Sequence, residues 1–94
     1  MPDLRSIQTE VDASYLYSKL AGKEEDKNVA DIFQQMSDIE KGHAEAFLKK
    51  IGLTPDKMPP PSFRAKTLNR IGNIFGYDYV LGVLMDTEKS LSNS

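Results

Sequence analysis

Residues 29–51 read VADIFQQMSDIEKGHAEAFLKKI, and the centre of this stretch is Glu40-Lys41-Gly42-His43. Val29, Ile32, Phe33, Met36, Phe47 and Ile51 recur at helical spacing, which predicts a helix with one buried face. Glu40 and His43 lie on that same stripe, between Met36 and Phe47. A carboxylate and an imidazole on a buried face are costly unless paired, hydrogen-bonded or bound to a metal. At i and i+3 they also project the same way, as two ligands of one ion must. Glu-x-x-His facing into a helical bundle is half of a di-iron carboxylate ligand set. The same residues suit a core histidine satisfied by a neighbouring glutamate, so the motif alone leaves both readings open.

Upstream, residues 3–21 are predicted as a first helix, with Asp3 or Ser6 as its cap and Gly22 as its C-terminal stop. Ile7, Ala13/Ser14, Tyr17, Leu20 and Ala21 mark one face, and Glu10 sits in the middle of it. Lys23-Glu24-Glu25-Asp26 is a polar connection, and Asp26 or Asn28 starts the second helix. So short a connection makes the two helices antiparallel neighbours. Residue 25, inside that connection, lies midway between Glu10 and Glu40. At ~1.5 Å rise per residue both carboxylates lie roughly 22 Å from the turn. They are therefore expected at one level of the hairpin, with His43 less than a turn away. The level match favours a metal site over an isolated motif.

Downstream, Gly52 closes the second helix and residues 53–61, LTPDKMPPP, form a proline-rich linker that cannot continue it. Ser62 is the expected cap of a short third helix whose apolar set is Phe63, Leu68, Ile71, Ile74 and Phe75. Arg64, Lys66 and Arg70 give that helix a basic flank, which fits packing on the hairpin and, as a sharper alternative, a membrane surface. Gly76 ends it, and Asp78 is expected to cap a last helix. The apolar run at 79–85 must bury, on a partner or back on its own hairpin. The chain thus divides into a hairpin at 1–52, a linker at 53–61 and a helical tail at 62–94.

Composition narrows the classes of function. With 39% hydrophobic and 28% charged residues, the 94-residue chain suits one small helical domain with a modest core. A net charge of -2 provides no electrostatic footprint for nucleic acid. No apolar run approaches the ~20 residues that span a bilayer, and the N-terminal segment lacks the regions of a signal peptide. The absence of cysteine excludes disulfides, thiolate metal sites and a cysteine nucleophile. A cytoplasmic location is the default expectation.

Glu10, then Tyr17 seven residues on, then Ile32-Phe33 ahead of Asp38-Ile39-Glu40-Lys41-Gly42-His43-Ala44, resembles the first helix pair of rubrerythrins and other ferritin-like di-iron proteins. The likeness covers roughly residues 4–50. It implies that Glu10 is a terminal or bridging carboxylate ligand, Glu40 a bridging carboxylate and His43 a terminal imidazole ligand of iron. It also implies that Tyr17 is a hydrogen-bonding partner behind the ligands; ordinary core packing explains a buried tyrosine equally well. Residues 70–76 and Leu84-Met85 look like the connector in rubrerythrin-like domains attached to vacuolar-iron-transporter-type membrane proteins. Carboxylates neutralise Fe(II) and Fe(III) and shift between binding modes, while imidazole fixes geometry.

A complete ferritin-like domain has four long helices and two ligand sets, whereas this chain supplies one Glu and one Glu-x-x-His. The expected fold is an all-α, ferritin-like antiparallel helical hairpin with two short C-terminal helices. Homodimerisation, or a larger even assembly, would complete the four-helix bundle and its di-iron site. Thr87-Glu88 echoes Thr9-Glu10, which makes Glu88 a further candidate ligand, or a solvated residue near a polar terminus. The function expected from the resemblance is oxidation of Fe(II) by O2 or peroxide. The alternatives are a non-catalytic iron-binding or sensing module for an iron transporter, and a metal-free hairpin that only dimerises.

Overall fold

The computed structural model describes residues 4–76, 78 and 80–84. All regular structure among them is helical. Helix α1 spans Leu4–Lys23 and helix α2 spans Lys27–Lys50. Asp26 starts α2 as expected, its carboxylate accepting the N–H groups of Asn28 and Val29. That satisfies two donors which a helix start otherwise leaves orphaned. Glu24 accepts the Asp26 N–H at 3.1 Å, so the acidic residues of the connection build the turn itself. Gly22 does not stop α1: the helix continues through Lys23, and Gly22 lacks the positive φ of a C-terminal cap.

Gly52 does end α2, with φ 81°. Its N–H donates to the Lys49 carbonyl at 3.1 Å, and Leu53 N–H donates to the Leu48 carbonyl at 2.9 Å. This paired return closes the last turn and needs a left-handed residue between its two bonds. The linker contains one 3-10 turn, Pro55–Lys57, and runs back along α1. Gln8 Nε2 donates to the Pro60 carbonyl at 2.9 Å. Asp12 then accepts both the Ser62 N–H, at 2.8 Å, and the Ser62 hydroxyl. Ser62 in turn caps helix α3, Phe63–Phe75, by accepting the Ala65 N–H. Gly76 terminates α3 with φ 101°.

Helix α1 is the central element. On one flank Ala13, Leu16, Tyr17 and Leu20 bury against Ala65 of α3 and against Val80 and Leu84. Those last two belong to a helical segment at 80–84, so this segment folds back over its own hairpin. Asp78 is itself helical rather than a cap. Nearer the open end of the hairpin, Ile7 packs with Ala44 and Leu48, flanked by Val11, Phe47 and Met58. Each large aliphatic side chain buried in this way contributes ~1.5–3 kcal/mol.

Two helices are turned from the expected orientation. The buried residues of α2 are Ser37, Ala44 and Leu48, while Ile32 is 54% exposed and Ile51 38% exposed. The packed face therefore lies to one side of the predicted stripe, and Glu40 and His43 sit at its edge. On α3 the contact with α1 is made by Ala65 and the partly buried Leu68. Phe63, 83% exposed, and Ile74, 74% exposed, face outward. Small residues permit the closer approach of helix axes, which outweighs the burial of one larger side chain. No helix among the described residues is long and apolar enough to cross a membrane.

Candidate metal centre

Glu10 projects from the middle of α1, between Ile7 of one apolar cluster and Ala13 of the other. Glu40 and His43 project from α2 one turn apart. The short, capped turn places all three at one level, as the spacing predicts. His43 Nδ1 lies 3.5 Å from Glu10 Oε2 and 4.0 Å from Glu40 Oε1. One donor atom from each of the three residues lies within 4.8 Å of the other two.

The surroundings are unequal. The Glu10 and Glu40 side chains are 9% and 12% exposed, whereas His43 is 54% exposed. Glu10 Oε2 is fully buried and has no hydrogen-bond partner among the described residues. Its contact with His43 is longer than the ~2.7–3.2 Å of an N–H···O bond. A buried carboxylate oxygen without a donor costs ~1–3 kcal/mol, and a second carboxylate beside it adds repulsion. A multivalent cation between the three groups relieves both penalties. Two bonds of ~2.1 Å span at most about 4.2 Å, so side-chain adjustments of a few tenths of an ångström close this set on one ion. The donor set is oxygen-rich with one imidazole, which suits iron or manganese better than a soft metal.

Three of the predicted site residues are thus brought together. Tyr17 lies on the Glu10 face of α1, two turns further on; it is fully buried and its ring stacks on Phe33 at 6.3 Å. Glu88 lies outside the described residues, as do Asp3, Tyr79 and Met85. Glu24, Glu25 and Asp26 are exposed in the connection, at the far end of the hairpin from the cluster. One feature beside the centre goes beyond the sequence reading, which places Ser14 on the α1 face without a partner: Ser14 and Ser37 meet across the helix crossing. No periodicity argument pairs two serines on different helices; only the level match of their numbers about residue 25 points to it.

Comparison with known proteins agrees with this geometry. No curated protein and no solved structure matches the chain. A family model described as Rubrerythrin matches residues 4–70, which include the whole hairpin and the Glu10, Glu40 and His43 cluster. The match ends at residue 70, within α3, and does not show the likeness of the residues beyond it to transporter-associated domains. An all-helical fold, a Glu and a Glu-x-x-His converging at one level, and a family match over more than half the chain agree: this chain belongs to the rubrerythrin family.

Proposed function

We propose that the chain is a di-iron carboxylate protein that binds Fe(II) between two copies of itself and oxidises it with O2 or peroxide. The observation that carries this reading is Glu10 Oε2, buried without a hydrogen-bond donor and 3.5 Å from a half-exposed His43. A site that were only structural would be expected to satisfy that oxygen within the chain. One copy offers one imidazole and two carboxylates, which is half of a two-iron set; two copies related by a two-fold axis supply four Glu and two His. The exposed side of His43 is the side on which Ile32 and Ile39, each 54% exposed, also lie on α2. An apolar second copy seated there would bury these isoleucines and exclude water from the ligands.

In this reading Glu10 and Glu40 would neutralise the bound cation and His43 would fix its coordination geometry. Tyr17 is assigned to hydrogen-bond toward the ligand carboxylates from behind. Iron, when bound, supplies the electron that is passed to O2 or peroxide. The decisive experiment adds Fe(II) anaerobically, measures mass in solution, and then follows oxygen uptake. The expected result is an even-numbered assembly that retains iron and consumes oxygen. Iron retention without oxygen uptake would instead indicate a binding or delivery module. Failure to retain any metal after chelator-free purification would end the proposal.

A further inference from the structure

The hydroxyls of Ser14 and Ser37 reach across the α1–α2 crossing. Ser14 Oγ donates to the Ser37 carbonyl at 2.9 Å, and Ser37 Oγ donates to the Ser14 carbonyl at 2.7 Å. The two oxygens lie 3.1 Å apart. A serine inside a helix ordinarily turns its hydroxyl back to the carbonyl four residues earlier. Thr9 does so here, bonding the Arg5 carbonyl at 3.0 Å. Ser14 and Ser37 instead use the neighbouring helix, and their acceptors are backbone atoms, so the bonds join main chain to main chain through one small side chain each. Ser37 is buried.

Their position relates them to the metal centre. Ser14 follows Glu10 by four residues and Ser37 precedes Glu40 by three, so both lie one turn nearer the connection than the ligands. We infer that Ser14 and Ser37 are positioning residues for the metal centre: their reciprocal bonds set the register of α1 against α2 and so hold Glu10 opposite Glu40 and His43. The inference rests on the metal-binding reading. Apolar contacts such as Ile7 with Ala44 and Leu48 are non-directional and tolerate small slides. The ligands cannot set the register themselves, because without a cation two carboxylates repel. Directional bonds adjacent to them can.

The test uses Co(II), whose visible spectrum reports ligand geometry, alongside Fe(II). S14A/S37A keeps the small side chains and removes both hydroxyls. It should bind Co(II) about 10- to 100-fold more weakly, with an altered spectrum, as changes behind metal ligands do. Val80→Ala removes packing of residues 80–84 on α1 and no bond between α1 and α2; it should lower the melting temperature and leave Co(II) affinity unchanged. Ser14→Thr keeps the hydroxyl, and Ser14 lines a surface groove; it should bind Co(II) like wild type. In metal-free protein, nitroxide labels on Arg5→Cys and Ala46→Cys, both exposed and free of competing cysteines, should give a broader distance distribution when the serines are replaced. Wild-type affinity and an unchanged distribution in S14A/S37A would overturn the inference alone. Wild-type protein that binds neither Co(II) nor Fe(II) would overturn the metal reading, and this inference with it.

Discussion

At the scale of single residues, the centre combines a buried and a half-exposed partner, and the two should respond differently to substitution. Glu10 is buried with one oxygen lacking a donor, and Glu10→Gln keeps the shape while removing one carboxylate from beside Glu40. Metal-free Glu10→Gln should be more stable than wild type by about 1 kcal/mol, read as a melting temperature about 4–8 °C higher. It should lose the stabilisation that Fe(II) confers on wild type, about 2.7 kcal/mol at a hundred times Kd. Destabilisation by chelator-treated Glu10→Gln would favour a purely structural glutamate. His43→Ala should behave otherwise. The imidazole is largely in solvent and makes no short hydrogen bond to either carboxylate, so its removal should change metal-free stability by less than about 0.5 kcal/mol. The Fe(II) response should still disappear. Tyr17→Phe should leave Fe(II) binding intact and slow its oxidation; equal rates would leave Tyr17 a packing residue stacked on Phe33.

At the scale of elements, α2 is the helix whose orientation decides most. The apolar spacing of Val29, Ile32, Phe33 and Met36 correctly identifies a helix, but it centres the buried face too far toward Ile32. The observed contact is made by Ser37, Ala44 and Leu48, because two small residues let α2 approach α1 and bond to it through Ser37. Leu48→Ala should therefore cost ~2–5 kcal/mol, and Ile51→Ala, at the partly exposed cap, should cost well under half of that. Chemical denaturation of the two variants separates the two orientations of α2. On α3 the same logic applies: Ala65 is the residue that touches α1, and Phe63 and Ile74 point away from it.

At the scale of the whole molecule, α1 is enclosed by α2 on one flank and by α3 and residues 80–84 on the other. Helix α3 and residues 80–84 thus cover one side of α1, and the side of α2 carrying Ile32, Ile39 and His43 stays exposed. If a second copy seats on this side as proposed, Ile32→Asp/Ile39→Asp should give a monomer, weaken Fe(II) binding and leave helix content unchanged, measured by sedimentation and circular dichroism. A dimer that survives both changes would place the interface elsewhere. The hairpin, its antiparallel sense, the Asp26, Ser62 and Gly52 boundaries and the common level of Glu10, Glu40 and His43 were all determined by local sequence. Caps act within one turn, and a fixed rise per residue carries their registration ~22 Å along two straight helices. What only the tertiary structure decided was rotation: which side of α2 and α3 turns inward, how far His43 stands in solvent, and that Val80 and Leu84 return to α1. Rotation about a helix axis is set by the summed fit of small and large side chains on several elements at once, and by bonds such as Ser14 with Ser37 that join distant parts of the chain.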